Sequence, residues 1–453
     1  MIATIAPLRP GRRLLALASL AAVMSTALLT ASAGASGAAR VPSSSTQDAV
    51  NGAKYLAGLI GTRGYVSGSD GSPDAPDTAN AILALHAAGF GGAAAHAAQA
   101  YLQAHRDSFV MRNGQDDAGR LATAILAAHA EGTDPLRYGS ADARGNLVIR
   151  LLATQRSTGK DAGLFGSSDP TYDGAFRQGL ALLALRSVGR QDSKGLAWLR
   201  GQQCSVGGWE SYRANPAVAC GPTDPAAFSG PDTNSTALAV EALVAAGATP
   251  IHDPLPFLHG QQSTDGGFAL FGGPTTPGDP DSTALVLQAL VSLGQDPAGV
   301  SWTQRGGTPY AALATFQVRS GSAAGAYFFD PASRKPSLLA TVQAIPGAAG
   351  VPLPVGPGAL APGSPTLPKT PTPAPISSSA STSPSTSPST SPSGALSSTP
   401  AAGTLGATAA PQLPNTGARS VLPLTVTGAL LVITGAATVA GSRRRTRSGA
   451  HRR

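Results

Sequence analysis

The chain is poor in the residues that usually build an aromatic core or a charged surface. Charged residues make up 12% of its 453 positions and aromatic residues 5%, with only three tryptophans and three methionines. Two cysteines are too few for a cysteine-rich zinc module or a multi-disulfide scaffold. No stretch alternates between apolar and polar residues with a period of two, which argues against a β protein. The remaining pattern is one of Ala/Leu-rich runs separated by Gly/Pro/Asp-rich loops, and it predicts an all-α fold.

Residues 1–40 have the features of a secretory signal peptide. Three arginines precede an apolar run at 14–29, and Ala31-Ser32-Ala33 offers a cleavage site. We therefore expect the mature protein to be exported. In an oxidising compartment the pair Cys204 and Cys220 favours a disulfide over two free thiols, worth about 3 kcal/mol in the chain-entropy model.

The C-terminal segment 413–453 combines three features in a fixed order. Leu413-Pro414-Asn415-Thr416-Gly417 precedes an apolar stretch at 421–440, and an arginine-rich tail follows. The apolar stretch is long enough to span a bilayer, and the arginines favour a cytoplasmic tail. The order resembles the LPXTG sorting signal of Gram-positive surface proteins. The resemblance implies that sortase cuts between Thr416 and Gly417 and joins Thr416 to peptidoglycan, so that the chain contacts the membrane only before sorting. An ordinary single-span membrane protein is the alternative.

Removal of these two segments reverses the charge of the protein. The full chain carries a net charge of +8, but residues 1–40 and 417–453 hold 11 of its 32 basic residues and none of its 24 acidic ones. The mature chain thus has 21 basic against 24 acidic residues, a net charge of about −3. Nucleic-acid binding would need basic residues clustered on the folded part, so we expect no nucleic-acid partner.

Residues 351–412 differ sharply in composition from the sequence before them. They consist almost entirely of Pro, Ser, Thr, Ala and Gly, with STSPSTSPSTSPS near the centre. Such a segment buries too little apolar surface to order itself. We predict a disordered stalk that spans the cell wall.

Residues 44–350 contain six units, each of which ends an apolar helix at a glycine. These glycines are Gly89, Gly132, Gly189, Gly247, Gly294 and Gly347. Helices that are apolar on nearly all sides are buried on nearly all sides, whereas the helices between them are amphipathic. Six buried helices that alternate with six half-exposed ones predict an (α/α)6 toroid with an inner and an outer ring.

Two stretches repeat one motif about 60 residues apart. Residues 194–209 (KGLAWLRGQQCSVGGW) and 254–268 (PLPFLHGQQSTDGGF) each carry a glutamine, a glycine four residues later and an aromatic two residues beyond. The motif residues are Gln203 with Trp209 and Gln262 with Phe268, and looser copies run from Gln155 to Phe165 and from Gln317 to Tyr327. The motif resembles the Gln–Trp repeat of the terpene cyclase and prenyltransferase superfamily, which includes squalene–hopene cyclase. The resemblance implies a toroid in which the glutamine ties neighbouring outer helices together.

The end of the sixth unit, LLATVQAIPGAAGVPLP, resembles the closing repeat of transcobalamin-like proteins and their bacterial surface relatives. That group also has the (α/α)6 toroid. Its vitamin carriers complete the cobalamin site with a second, β-rich domain, for which the sequence shows no counterpart. We therefore expect no cofactor.

Acidic residues precede most of the apolar helices. The candidate rim residues are Asp77, Asp116, Asp117, Asp173, Asp232 and Asp281, and three of them share the form Pro-Asp-Thr/Ser. One interpretation is helix capping; the other is a ring of carboxylates around the mouth of a central cavity. Glu241, Gln288 and Gln343 lie at matching positions of the last three apolar helices and could line the cavity or bond to nearby loops.

No catalytic string of the superfamily is present. The sequence lacks Asp-x-Asp-Asp, Asp-Asp-x-x-Asp and the Asp/Cys/His zinc set, so we predict no metal site and assign no catalytic residue. Two functions remain. The favoured one is a wall-anchored module that binds a small molecule, glycan or protein without catalysis. The alternative is a diverged enzyme, cyclase-like or carbohydrate-active, that uses paired aspartates at the cavity mouth.

Overall fold

The computed structural model describes residues 40–166, 172–358 and 360. The α-helices within them are α1 Ser43–Ile60, α2 Ala75–Ala87, α3 Gly92–Ala104, α4 Arg106–Val110, α5 Ala118–Ala130, α6 Leu147–Ala153, α7 Ala175–Ser187, α8 Ser193–Gly201, α9 Thr233–Ala245, α10 Leu255–Gln261, α11 Pro280–Ser292, α12 Pro309–Ala314 and α13 Leu338–Ala349. Short 3-10 turns lie at Gly61–Arg63, Ala143–Gly145 and Val300–Trp302.

Six of these helices form a closed inner ring. In ring order they are α2, α5, α7, α9, α11 and α13, and each packs against the next. The ring closes because α13 also packs against α2. Their burial explains the arrangement: in α9, every residue from Thr233 to Leu243 is buried, as expected for a helix surrounded on all sides. The predicted all-α toroid is confirmed.

Five further helices within the described residues form the outer ring. Helices α1, α3, α6, α8 and α12 each pack against an inner helix, and α1 lies against both α12 and α13. The seam between the last and first units holds four side-chain hydrogen bonds, donated by three residues. Ser45 Oγ donates to Ala348 O at 2.8 Å, Gln317 Nε2 donates to Asp48 O at 2.8 Å, and Arg319 pairs with the Asp48 carboxylate.

The repeated glutamine lies between one unit and the next. Gln203 Nε2 donates to Gly207 O in its own motif and to His252 O ahead of α10, both at 2.8 Å. Gly207 has a φ of 94°, and a Cβ there would lie against the carbonyl oxygen of Asp253, so only glycine fits this close approach. Gln262 repeats the arrangement, with Nε2 donating to Gly266 O at 3.0 Å and to Trp302 O at 2.8 Å.

The aromatic residue of the motif is buried beside the start of the next inner helix. The rings of Trp209 and Phe268 are both 0% exposed. Trp209 pairs with Asp232 in a short strand pair, and Phe268 forms an isolated bridge with Asp279.

The strands are β1 Met111–Arg112, β2 Gln115–Asp116, β3 Trp209–Glu210, β4 Pro231–Asp232, β5 Tyr327–Phe328 and β6 Pro336–Ser337. They are joined as the antiparallel pairs β1–β2, β3–β4 and β5–β6.

The loop between α8 and α9 contains the disulfide. Cys204 and Cys220 are bonded, with a Cα–Cα distance of 5.7 Å. Arg213 braces the same loop, because its guanidinium donates to Gln203 O at 2.7 Å and to Val218 O at 2.6 Å.

Five of the six predicted helix-ending glycines have positive φ, and the sixth does not. Gly89, Gly132, Gly189, Gly247 and Gly294 have φ between 65° and 73°. The last inner helix instead continues past Gly347 and ends before Gly350, whose φ is 64°. Gly347 lies inside α13, where a Cβ would be 2.6 Å from Ala284 Cα of α11. It is required for close helix packing, not for helix termination.

The predicted stalk begins too early at residue 351. Residues 351–358, which we term the strap, leave α13 and lie against the ring, with Val355 only 3% exposed. Side chains of α9 and α11 bond to the strap backbone and hold this proline-rich segment in place.

The signal peptide, most of the stalk and the sorting signal with its 421–440 span lie outside the described residues. Among the helices that the structure describes, none has the length and apolarity needed to cross a membrane.

Candidate functional site

The acidic residues occupy several different positions at the starts of the inner helices. The cap residues of α2, α5, α7, α9, α11 and α13 are Asp74, Asp117, Gly174, Asp232, Asp279 and Ser337. In α2, α9, α11 and α13 a threonine lies four residues after the cap and marks the register. For example, Thr236 Oγ1 accepts the Trp209 N–H and Thr283 Oγ1 accepts the Phe268 N–H, both at 2.9 Å.

This register shows that the three Pro-Asp sequences are not equivalent. Asp232 is a cap that accepts the Ser235 N–H at 2.7 Å, and its structural counterparts are Asp74 and Asp279. Asp77 and Asp281 lie inside the first turns of α2 and α11 instead. Burial raises the pKa of Asp232 to about 6.

Asp77 and Asp281 are buried acids without a cationic partner. Each is 2% exposed, and no salt bridge to either is found among the described residues. One carboxyl oxygen of each, Oδ1, has no hydrogen-bond partner within the described part of the chain. Burial and the neighbouring Asp74 raise the pKa of Asp77 to about 7, although a hydrogen bond from Asn80 opposes the shift. Burial, Asp279 and then Asp77 raise the pKa of Asp281 well above its usual value.

The charge of Asp77 contributes to the raised pKa of Asp281. Helices α2 and α11 flank α13 in the ring, so both carboxyls approach the same part of the mouth from either side of α13. Like charges at such a site disfavour the ionised form of both groups. We term Asp77 and Asp281, with the caps Asp74 and Asp279, the unpaired acids.

Asp117 and Asp173, in contrast, are buried beside arginines. Arg177 of α7 is 1% exposed, and its guanidinium lies 3.5 Å from Asp117 Oδ2 and 3.4 Å from Asp173 Oδ1. Arg156 reaches Asp173 at 2.8 Å, and Arg112 lies 3.4 Å from Asp117. We term Asp117 and Asp173 the paired acids.

Asp116 lies away from the ring axis. Its carboxylate accepts from the Arg150 guanidinium of outer helix α6, at 2.5 Å for Nη2. Both residues line a surface groove of about 580 Å³. The turn between β1 and β2 directs Asp116 outward, so it is not a rim residue although Asp117 follows it directly.

Glu241 and Gln288 contact the strap. Both lie nine residues after their caps in adjacent helices, and Glu241 is 1% exposed. Glu241 Oε2 accepts the Leu353 N–H at 2.7 Å, while Gln288 Nε2 donates to Val351 O at 2.9 Å. Burial raises the pKa of Glu241 to about 8, against the effect of the Leu353 hydrogen bond, and its Oε1 has no partner.

Gln343 does not occupy the matching position. Gln343 lies only six residues after its cap Ser337, level with Asn80 of the adjacent α2. Gln343 and Asn80 are partly exposed within otherwise buried stretches of their helices. Six residues correspond to a depth of about 9 Å below the helix start, so water reaches this far into the N-terminal mouth.

The only metal-like cluster among the described residues is not free to bind an ion. Potential ligand atoms of Cys204, Glu210 and Cys220 lie within 4.8 Å of one another. The disulfide occupies both sulfurs and leaves a single carboxylate.

Sequence reasoning missed Arg177, Asn80 and Asn234. Arg177 could have been found, because an arginine near the start of an apolar helix needs a buried counter-ion. Asn234, 1% exposed with an unpartnered Nδ2, lies two residues after its cap, as Asp281 does. That equivalence becomes visible only once the caps are aligned.

No protein-family model and no curated protein matches the chain. Among solved structures, the chain is similar to the type II terpene cyclase MstE from Scytonema in its apo form, with 15% identity and a TM-score of 0.45, over 68% of this chain and 96% of that one. It is also similar to ent-copalyl diphosphate synthase from Streptomyces platensis, with 16% identity and a TM-score of 0.37. That match covers 61% of this chain and 49% of the synthase. These values are too low to support an inference about activity.

Proposed function

We propose that the protein is an exported surface protein, attached to the cell wall through Thr416, whose toroid binds a ligand at its N-terminal mouth without catalysis. The attachment is supported by the sequence Leu413–Gly417 followed by an apolar span and an arginine-rich tail. Sortase and peptidoglycan are then the covalent partners, and a Gram-positive cell wall is the location.

The unpaired acids support the binding role. Asp77 and Asp281 are buried, have no cationic partner among the described residues, and each leaves one carboxyl oxygen without a hydrogen bond. Buried polar groups in folded proteins are normally satisfied, and an exception calls for an explanation such as a missing ligand. A ligand that presents N–H, O–H or cationic groups would satisfy these oxygens.

The attachment is tested by fractionation of a Gram-positive host that expresses the full chain. We expect muramidase to release the wild-type protein with wall fragments attached, and the Thr416→Ala variant to stay with the membrane. Thr404→Ala, a nearby threonine outside the motif, serves as the control. Equal distribution of wild type and Thr416→Ala would refute attachment at this residue.

Ligand binding is tested by native mass spectrometry of the secreted mature protein. We expect a retained small molecule or glycan fragment that is lost from Asp77→Asn and Asp281→Asn but kept in Asp134→Asn, which changes an exposed acid. A ligand retained equally by all variants would place the site elsewhere. If none is found in any variant, even after incubation with host wall extract, the binding proposal fails.

The raised pKa of Asp281 favours an enzyme as a second candidate function. A carboxyl whose pKa is raised well above its usual value by burial and neighbouring acids can act as a general acid. Asp279-Pro280-Asp281-Ser282 differs from Asp-x-Asp-Asp only in its last residue. Turnover of an isoprenoid or a wall glycan that is abolished by Asp281→Asn would establish this alternative over simple binding.

A further inference from the structure

The strap crosses the C-terminal end of the inner ring. After α13 it bonds to Gln288 of α11 through Val351 and to Glu241 of α9 through Leu353. Further along, Pro357 Cβ lies 3.9 Å from the position that a Cβ on Gly132, just after α5, would take. The strap therefore passes over three of the six inner helices and covers this mouth of the ring.

The ring recognises the backbone of the strap and not its side chains at these two points. Gln288 donates to the carbonyl of Val351, and Glu241 accepts the N–H of Leu353, two residues later. Alternate residues of an extended segment face the same side, so one face of the strap presents both groups to the ring. Val355, 3% exposed, adds the deepest apolar contact.

The strap is held by fewer polar contacts than the seam that closes the ring. Besides the two side-chain bonds, its first residue donates from Val351 N to Pro346 O at 3.0 Å. The seam combines the Ser45, Gln317 and Arg319 bonds with the packing of α1 along α13. We therefore expect the strap to detach at a lower load than the ring.

We propose that the strap is a tension-released latch: a pull on the chain beyond it detaches residues 351–358 from Glu241 and Gln288 and opens the C-terminal mouth while the ring stays folded. Along the chain, the strap lies between the ring and the sequence that leads to Thr416. A load applied at Thr416 therefore reaches the strap before it reaches α13. The role of the latch in the cell rests on the proposed wall attachment. The latch itself does not, and it is measured on the isolated protein.

The experiment is force spectroscopy of the mature chain. One handle is fused after residue 412, and the other is attached to a cysteine at Thr158, an exposed loop position. We expect a first, reversible lengthening of at most about 29 Å, the extended length of the eight residues 351–358, before the ring unfolds. Unfolding of wild type in a single step would overturn the proposal.

Two variants of Glu241 test the hydrogen bond. Glu241→Ala removes the acceptor, so we expect the first step at a lower force and about tenfold faster hydrogen exchange at the Leu353 amide. Glu241→Gln retains an oxygen that can accept the same N–H, so we expect behaviour close to wild type. Unchanged Leu353 exchange in Glu241→Ala, with the protein folded by circular dichroism, would contradict the assigned contact.

A covalent lock provides the matched control. The 3.9 Å spacing suits a disulfide in Gly132→Cys/Pro357→Cys, which should abolish the first step until reductant is added. Wild type in the same reductant corrects for loss of the Cys204–Cys220 bond. Persistence of the first step in the oxidised variant, with the new disulfide verified by mass spectrometry, would show that another segment detaches.

Loss of wall attachment in Thr416→Ala cells changes none of these force measurements, so the latch proposal and the wall-attachment proposal can fail separately.

Discussion

The paired and the unpaired acids lie at the same end of the same ring, yet their electrostatic states differ. Asp117 and Asp173 are buried beside Arg177, with Arg112 and Arg156 close by. Asp77 and Asp281 are equally buried, but their strongest neighbours are other acids, and the pKa of each is raised. Equal burial is therefore combined with opposite charged neighbours in the two halves of the mouth: arginines beside the paired acids, and further acids beside Asp77 and Asp281.

The difference originates in the first turn of α7. This helix has Gly174 at its cap position, with Asp173 before it and Arg177 in its first turn. Helix α11 has Asp279 and Asp281 in the corresponding region and no arginine. The acids of one half of the mouth thus have arginine neighbours, whereas those of the other half lie next to further acids.

The largest expected effect is a pH dependence that comes from the unpaired half and the strap. Burial raises the pKa of Asp279 to about 6, that of Asp77 to about 7 and that of Glu241 to about 8. In the unfolded chain such groups titrate near pH 4, so the folded state holds more protons between about pH 4 and 8. The contribution of these groups to the free energy of unfolding should therefore be fully present below about pH 4. It should fall by on the order of 5 kcal/mol as the pH rises to 8. Urea denaturation across this range measures it, and a flat or rising curve would contradict the assigned states.

Removal of the central arginine tests the paired half. Arg177→Ala leaves Asp117 and Asp173 buried without their shared cation, so we expect a loss of about 3 kcal/mol in the free energy of unfolding at pH 7. Arg137→Ala, at an exposed position, is the control and should change stability by less than about 0.5 kcal/mol. Equal effects of the two variants would mean that Arg177 does not stabilise the mouth.

Neutral isosteres should have opposite effects in the two halves. Asp117→Asn removes a partner of Arg177 and should destabilise the protein by about 2 kcal/mol at pH 7. Asp281→Asn removes a buried acid that resists ionisation and should stabilise it by about 1 kcal/mol at pH 8, with little change at pH 5. Thermal unfolding at both pH values measures the difference, and effects of the same sign at pH 8 would remove the distinction between the halves.

The smallest effect is expected at Asp116. Its pairing with Arg150 lies at the surface of the outer ring, where salt bridges contribute at most about 1 kcal/mol. Asp116→Asn should reduce stability by no more than that, and should leave both the pH dependence and any retained ligand unchanged. A loss of ligand in this variant alone would move the site to the groove beside α6.

The ring could be predicted from the sequence because each of its determinants is local. An apolar helix ending at a glycine such as Gly89 or Gly247 specifies an inner helix by itself. The Gln203–Trp209 motif is likewise recognisable within one short stretch, although the bond that ties its unit to the next one runs from Gln203 to His252 O, 49 residues later. Six repetitions of such local rules leave a closed ring as the consistent arrangement.

The site could not be predicted to the same extent because it depends on register and on distant neighbours. The expectation that Gln343 matches Glu241 and Gln288 is three residues out of register, because Gln343 lies six residues after its helix cap and the other two lie nine residues after theirs. The roles of Glu241 and Gln288 depend on a proline-rich segment more than 60 residues away, whose composition alone predicts disorder. Likewise, nothing local to Asp117 shows that it meets an arginine 60 residues later.

The seam has a consequence for how the chain could be rearranged. Pro42 and Gly350 lie at either side of it, where Val41 packs against Gly350 and Ser45 bonds to Ala348. A closed ring of like units has no structural first member, so its packing does not depend on which unit comes first in the sequence. A short peptide linking the two sides of the seam would allow new termini in an exposed loop of another unit, and a circularly permuted toroid should keep the same packing.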